Sequence, residues 1–204
     1  MSQVSSEKLN NNSNTKSPAK KMARQKYERG DEIPILDFGI WRVVRGIVQL
    51  SRFRVDGSEV VVGFITTKGT FENNLSRSLV AYRAIALSNV DLQYYSQQNI
   101  ADSPSLAKSL LASFGDRLIK TQQLLTIALI NNNQERLREL LLVFKEEIGI
   151  PTADGVRLQI RFTHQHLADI TGTTRVTITQ ILGDFKSEGL ISFDTERHIV
   201  IKEL

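Results

Sequence analysis

The hydrophobic periodicity of the chain changes near Ser103, and this change divides the sequence into parts that must fold differently. Between Tyr27 and Leu92, β-branched and aromatic residues occur in short runs separated by glycines, which is typical of strands. After Ser103, apolar residues recur at spacings of three, four and seven, which predicts amphipathic helices. The sequence therefore predicts an α+β protein with a strand-rich part followed by a helix-rich part.

The strand-rich part contains three well-marked segments, at residues 41–44, 47–53 and 60–65. Asp56-Gly57 separates the last two and predicts a tight hairpin, because glycine accepts the positive φ that such a turn requires. Several short strands at this spacing predict an antiparallel β-barrel or jelly roll over residues 27–102. A small sandwich fits the same periodicity.

The first 26 residues are polar and carry several lysines, which predicts a disordered polar and basic tail. A solvated tail is favoured over an arm that contacts DNA. The whole chain has a formal net charge of +4 and a pI of about 9.4, which permits a nucleic-acid partner without requiring one.

The chain has no cysteine and only three histidines, His164, His166 and His198. Without cysteine it can form no disulfide, no thiolate-ligated iron–sulfur cluster and no cysteine-based zinc site. The N-terminal half has no imidazole for a metal or haem, so we expect neither a metal nor another cofactor. No apolar run approaches the roughly 20 residues that span a bilayer, and no apolar signal segment is present, so we expect a cytoplasmic protein.

The first predicted helix begins with Ser103 as its N-cap and Pro104 in its first turn, and it extends over residues 103–131. Its length exceeds what a small domain needs, and its apolar seam has the heptad spacing of a coiled coil. We therefore favour a dimerisation helix over a helix packed only on its own sheets. The seam consists of Leu111, Phe114, Leu118, Leu125 and Ala128.

Three consecutive asparagines, Asn131-Asn132-Asn133, predict a break after this helix, because asparagine competes with helical hydrogen bonding. A second amphipathic helix follows over residues 134–148 and ends at Gly149-Ile150-Pro151. The break predicts a domain boundary near residue 132, with the last domain covering residues 132–204.

That last domain carries the pattern of a winged helix-turn-helix. A short strand at residues 156–160 precedes a helix that Thr163 caps and Gly172 ends, and a second helix covers residues 174–188. Either Val176 or Ile178 completes the inward face of the second helix. Strands at residues 190–193 and 198–201 then flank a four-residue turn and form the wing.

The second helix of such a motif enters the major groove of DNA and presents its N-terminal residues to the base edges. In this chain those residues include Arg175, which can bond both acceptors of guanine, and Gln180, which can pair with adenine. Several threonine hydroxyls can reach phosphates or bases. An ordinary surface helix with a few polar residues is the alternative.

The segment FTHQHLADITGTTRVTITQILGDFKSEGLISFDTERHIVI, which begins at Phe162, resembles the C-terminal domain of Crp/Fnr transcriptional regulators. It is especially similar to the cyanobacterial nitrogen regulators of the NtcA type. The family order of barrel, long dimer helix and winged helix also matches the order predicted above. Mapped onto this sequence, the DNA-contacting positions are Thr163, Thr173, Thr174, Arg175, Val176, Thr177, Thr179 and Gln180.

The resemblance implies a homodimer on pseudo-palindromic double-stranded DNA, with RNA polymerase as a further partner. It implies that Arg175 contacts guanine in each half-site. Val176 stands where catabolite-activator-type members have glutamate, and valine can touch a thymine methyl, which fits a GTA half-site rather than GTGA. Gln180 departs from the family's usual arginine.

The loop that holds an effector in this family is different here. Cyclic-nucleotide-binding members carry a glycine-glutamate pair and, further along, an arginine-serine pair, whereas this chain has Asn73-Asn74 and then Arg77-Ser78 in a shortened loop. We therefore predict a degenerate effector pocket and do not expect cyclic AMP. A 2-oxoglutarate site would use the same shortened loop and is disfavoured for that reason.

Two other classes of function are compatible with parts of the sequence. A protein-interaction module could use the degenerate barrel and have lost specific DNA binding, although Arg175 and the hydroxyl-rich helix favour DNA. An enzyme is not expected, since no nucleophile–base pair, metal-ligand cluster or phosphate-binding loop is visible.

Overall fold

The computed structural model describes residues 24–34, 39–55, 57, 59–72 and 82–204 of the chain. The described part of the N-terminal region consists of antiparallel strands. They are β1 (Arg24–Tyr27), β2 (Gly39–Arg45), β3 (Val48–Phe53), β4 (Glu59–Ile65), β5 (Thr70–Glu72), β6 (Tyr82–Ala86) and β7 (Val90–Ser96).

These strands form a four-stranded sheet in the order β1-β7-β2-β5 and a three-stranded sheet in the order β4-β3-β6. The predicted antiparallel, jelly-roll-like domain is confirmed, but the described strands do not close into a barrel. Inward residues of both sheets, such as Trp41, Val43, Leu50 and Leu92, share one buried core. Alternate residues of β2 are buried because successive side chains of a strand point to opposite faces.

The predicted hairpin is present, since β3 and β4 pair antiparallel with Phe53 opposite Glu59. The turn residues Asp56 and Ser58, the effector loop with Asn73, Asn74, Arg77 and Ser78, and residues 1–23 lie outside the described part of the chain. The predicted tail is too long, because Arg24–Tyr27 is a strand that pairs with β7. Strand β1 has no apolar run from which the sequence could predict it, and it is recognised only by its pairing with β7.

Three helices follow: α1 (Gln97–Ala101), α2 (Pro104–Ala128) and α3 (Asn133–Ile148). The prediction of α2 is confirmed, and the Ser103 hydroxyl accepts a hydrogen bond from the backbone N–H of Leu106 at 3.3 Å. The predicted break is also confirmed, because Asn132 caps α3 with its side-chain oxygen. The short helix α1 was not predicted.

Helix α2 buries few of its side chains against the rest of the chain. It buries Leu110, Ser113 and Ile127 and leaves a line of leucines in solvent. Leu111, Leu118, Leu125 and Leu129 expose 72%, 61%, 60% and 73% of their surface. Of the predicted seam, Ala128 is also exposed, whereas Phe114 is partly buried.

The C-terminal unit contains β8 (Gly149–Thr152), β9 (Gly155–Leu158), α4 (His164–Thr171), α5 (Arg175–Ser187), β10 (Ile191–Phe193) and β11 (Ile199–Ile201). Its sheet has the order β10-β11-β9-β8. The predicted helix pair and wing hairpin are confirmed. The sequence predicts only a helix end at residues 149–151, and this prediction missed strand β8. Pro151 is tolerated in β8 because β8 lies at the edge of the sheet. Strand β9 also ends earlier than predicted, at Leu158.

The strand-rich region and the helix-turn-helix share a second core. Ile47 belongs to it, and Phe64 of β4 packs against it beside Phe144 of α3 and Phe162 before α4. The Phe64 and Phe144 rings meet edge to face with centroids 5.1 Å apart, and the Phe144 and Phe162 rings stack at 4.7 Å. Burial of these rings fixes the C-terminal unit against the outer face of the three-stranded sheet.

Candidate DNA interface

The turn between α4 and α5 sets the angle of the two helices. Gly172 ends α4 in the left-handed conformation, with φ 64° and ψ 34°, and its N–H bonds to the carbonyl of Ala168. Such a backbone favours glycine because a Cβ crowds the following carbonyl oxygen. Ile178 is fully buried between the helices, whereas Val176 is 67% exposed. Ile178 therefore completes the inward face of α5, and Val176 faces solvent.

The exposed face of α5 begins with Arg175, the first residue of the helix. Arg175, Val176, Thr179 and Gln180 are all exposed. They occupy the first two turns of the helix, where unsatisfied N–H groups and the helix dipole favour an anionic partner. This face can present a guanidinium, an amide and a methyl-bearing side chain to one groove.

The threonines predicted to contact DNA are engaged in local hydrogen bonds. Thr163 and Thr174 cap α4 and α5, accepting from the N–H of His166 at 3.0 Å and of Thr177 at 3.1 Å. The Thr179 hydroxyl donates to the carbonyl of Arg175 at 2.8 Å. These hydroxyls are engaged by their own helices, whereas among the described residues no such local bond involves the exposed side chains of Arg175, Val176 and Gln180.

The other two predicted threonine positions are less accessible. Thr173 and Thr177 are partly buried, and the Thr177 hydroxyl lies 2.9 Å from that of Thr174. The Nδ1 atom of His164 lies 2.8 Å from the Thr179 hydroxyl, which links the N-terminus of α4 to α5. The eight predicted positions thus lie in one region, but they differ in how freely they can reach a ligand.

A basic cleft of about 690 Å³ adjoins this face, between the N-termini of α4 and α5 and the wing. Arg161, Arg175 and Arg197 line it, together with the exposed ring of Phe193. Three guanidinium groups beside two helix N-termini make the cleft suited to phosphate oxygens. The sequence interpretation missed Arg161 and Arg197, although each immediately flanks a predicted element and could have been considered for that reason.

The wing is held in place by Arg157 of β9. Its Nε donates to Asp194 at 2.6 Å and its Nη2 to Glu196 at 2.7 Å, while Asp194 also accepts from the backbone N–H of His198. The hydrogen bond from Arg157 is the main reason that the pKa of Asp194 falls to about 2. The wing turn includes Arg197 in the left-handed conformation, at φ 64°.

Asp194, Glu196 and His198 also bring their ligand atoms within 4.8 Å of one another, a spacing that could suit a metal ion. The guanidinium of Arg157 already bonds to both carboxylates and lies 2.6 Å from Nδ1 of His198. A fixed cation thus occupies the place that a metal would need, so the cluster serves as the counter-charge of Arg157.

Comparison with known proteins gives results consistent with this geometry. Residues 135–204 match the model of the Crp-like helix-turn-helix domain. The chain is 30% identical to the regulatory protein CysR of Synechococcus elongatus over 155 residues, covering 74% of this chain and 71% of that protein. It is 27% identical to the global nitrogen regulator of the same species over 167 residues, covering 78% and 75%.

Among solved structures, a CRP-family transcriptional regulator from Thermus thermophilus superposes with a TM-score of 0.74. It shares 16% identity and covers 88% of this chain and 92% of its own. The match therefore extends through the strand-rich region as well as the helix-turn-helix. In the described residues, helices that combine the length and hydropathy of a membrane span are absent.

Proposed function

The chain belongs to the Crp/Fnr family of transcriptional regulators, and from this we propose that it is a homodimer that reads a pseudo-palindromic DNA site. Within it we assign residues 24–102 to a sensor-like domain, since β1 belongs to its sheet, 103–131 to the dimerisation helix and 132–204 to the DNA-binding domain. We include RNA polymerase as a partner only because the chain belongs to this family. The observation that carries the proposal is the exposed Arg175–Val176–Gln180 face beside the arginine-lined cleft.

In this proposal Arg175 reads guanine and Val176 contacts a thymine methyl, while Gln180 pairs with adenine or a phosphate. Arg161 and Arg197 lie across the adjoining cleft and neutralise backbone phosphates. Two kinds of contact are thus separated in space: base readout on α5, and phosphate attraction from the wing and the start of α4. They can be separated by experiment too.

The test is equilibrium binding to a DNA site recovered by in vitro selection, measured at several salt concentrations. Arg175→Ala should lose about 1–3 kcal/mol on the selected site and discriminate poorly against replacement of the guanine. Arg197→Ala should weaken binding to all sequences similarly and lower the salt slope by about 0.9. Arg138→Ala, which removes the same charge from the exposed face of α3, is the control.

Equal losses by Arg175→Ala on all sequences would show that this arginine does not read a base. If the wild-type chain showed no preference among DNA sequences, the proposal would fail as a whole. A protein-interaction module would then be the better account of what this protein does.

The proposed dimerisation uses the exposed leucine stripe of α2 and its C-cap, defined by Leu111, Leu118, Leu125 and Leu129. Four large apolar side chains at heptad-like spacing in solvent form a surface that monomeric proteins rarely leave uncovered. A second copy related by a two-fold axis would cover it and place two α5 helices about 34 Å apart, one turn of DNA.

Leu118→Glu places a charge in the middle of this stripe and should convert the dimer to a monomer in sedimentation velocity. Ile150→Glu is the matched control, because it adds the same charge at an exposed apolar residue outside α2. A Leu118→Glu protein that still sediments as a dimer would rule out this interface.

A further inference from the structure

The imidazole of His164, the first residue of α4, lines the arginine-lined cleft together with Arg161, Arg175 and Arg197. Its Nδ1 atom lies 2.8 Å from the hydroxyl of Thr179 on α5. That hydroxyl has a single hydrogen, which it donates to the carbonyl of Arg175 at 2.8 Å. The hydrogen bond between the two side chains must therefore run from Nδ1–H of His164 to the hydroxyl oxygen of Thr179.

This hydrogen bond decides which ring nitrogen of His164 is left over. A neutral imidazole carries one proton, so a ring that donates from Nδ1 has an unprotonated Nε2. Among the described residues, Nε2 of His164 has no hydrogen-bond partner, and the atom is accessible to solvent. A proton that binds to Nε2 makes the imidazole a cation with a second donor. That donor is available to a phosphate oxygen in the cleft.

The charges around His164 oppose this protonation until an anion arrives. In the described part of the chain, the charged side chains that line the cleft are the three arginines, and no carboxylate lines it. The carboxylates of the wing, Asp194 and Glu196, are paired with Arg157. His164 also stands at the N-terminus of α4, where the helix dipole disfavours a cation. A DNA phosphate reverses the balance, because its negative charge favours the imidazolium and accepts a charge-assisted hydrogen bond from it.

We propose that His164 is a proton-dependent phosphate ligand, which takes up one proton when DNA binds and donates from Nε2 to the DNA backbone. This rests on the proposed function, since it requires DNA in the cleft. Histidine ordinarily exchanges its proton at roughly pH 5–8, so the uptake falls in a range where binding can be measured. Uptake of one proton makes the binding constant rise as the pH falls, by at most about tenfold per pH unit. Base readout by α5 has no such dependence on pH.

The proposal is tested by equilibrium DNA binding of the full chain between about pH 6 and pH 8. We expect the affinity to rise at least about fivefold from pH 8 to pH 6. The rise should be the same on the selected site and on random-sequence DNA, because a phosphate contact carries no sequence information. Calorimetry in two buffers of different ionisation enthalpy should show proton uptake, up to one per chain.

An affinity that does not change with pH, or binding without proton uptake, would overturn the proposal and leave the proposed function intact. A chain that binds selected and random DNA equally well at every pH would count against the proposed function. In that case a fivefold rise on both DNAs would still support the phosphate contact of His164.

The three histidines of the chain provide matched variants. His164→Gln places an amide near the position of Nε2 but cannot take up a proton, so it should abolish both the pH dependence and the proton uptake. His166→Gln and His198→Gln should retain both, since neither residue lines the cleft. Persistence of the pH dependence in His164→Gln, or its loss in either of the other two variants alone, would assign the proton to another group.

Nitrogen NMR of the wild-type imidazoles provides a measurement that needs no variant. Two-bond proton–nitrogen correlation spectra distinguish the two neutral tautomers of a histidine ring from its cation. In the free chain near neutral pH, His164 should show a protonated Nδ1 and an unprotonated Nε2. In the DNA complex at the same pH, both nitrogens should be protonated. A ring that stays neutral in the complex would refute the phosphate contact.

Discussion

Two glycines of the helix-turn-helix should respond to alanine in opposite directions, although both have room for a methyl group. A Cβ built on Gly172 or on Gly183 meets nothing within 4 Å. Gly172 has φ +64°, whereas Gly183 lies inside α5 with an ordinary helical backbone. Since packing contributes nothing at either site, the backbone conformation alone decides the sign of the change in stability.

The magnitudes follow from that difference. An L-residue in the left-handed region costs about 1–2 kcal/mol, and alanine recovers about 0.4–1 kcal/mol by restricting the unfolded chain. Gly172→Ala should therefore destabilise the protein by about 1 kcal/mol. Gly183→Ala should stabilise it by about 0.8–1 kcal/mol, the difference in helix propensity between the two residues. The two variants should differ by about 2 kcal/mol.

The assay is urea unfolding followed by far-ultraviolet circular dichroism, with the free energy of unfolding compared at a common slope. Gly172→Asn is a third variant, since asparagine tolerates the left-handed region and should lose less than alanine. If Gly172→Ala stabilised the protein as much as Gly183→Ala does, the left-handed turn would be refuted. Loss of stability in Gly183→Ala would instead show that a neighbour contacts this face of α5.

Three further predictions concern the shared core, the wing and the base contacts. Phe64→Ala should lower the free energy of unfolding by about 2–3 kcal/mol, less than for a fully buried phenylalanine because Phe64 is only partly buried. Phe193→Ala, at an exposed residue, should change the free energy of unfolding by under about 0.5 kcal/mol. Urea unfolding measures both values. The stability that Asp194 gains from Arg157 is present above its ordinary pKa of 3.8 and is lost as the pH falls through about 2. Asp194→Asn should therefore flatten the acid side of a plot of unfolding midpoint against pH. An unchanged acid side would contradict the ion pair. Val176→Glu should shift the preferred half-site from GTA towards GTGA in a selection from random DNA, because glutamate accepts from cytosine, and an unchanged preference would show that this position does not contact bases.

The shared core joins the three-stranded sheet to the C-terminal part of the chain. Phe64 lies on β4, and its ring packs edge to face against Phe144 of α3 and Phe162 before α4. His166 lies in the same region, and burial lowers its pKa below the usual value. The helix-turn-helix is therefore packed into a core to which both the strand-rich region and the C-terminal unit contribute.

Local signals were sufficient for the elements whose ends are determined by neighbouring residues. Ser103, Thr163 and Gly172 mark helix ends because a cap or a left-handed turn involves only a few residues along the chain. The heptad spacing of the exposed leucines is likewise a local property of α2. For that reason the long helix, the break after it and the winged helix-turn-helix could all be predicted from the sequence.

The tertiary structure decided everything that depends on which surfaces meet. Periodicity could not choose between Val176 and Ile178, and packing of α4 on α5 chose Ile178. Strands β1 and β8 have little apolar character and exist because a partner strand satisfies their backbone. The arginine-lined cleft brings Arg161, which precedes α4, together with Arg197 of the wing. Distances across the fold, which no spacing along the chain encodes, determined that cleft.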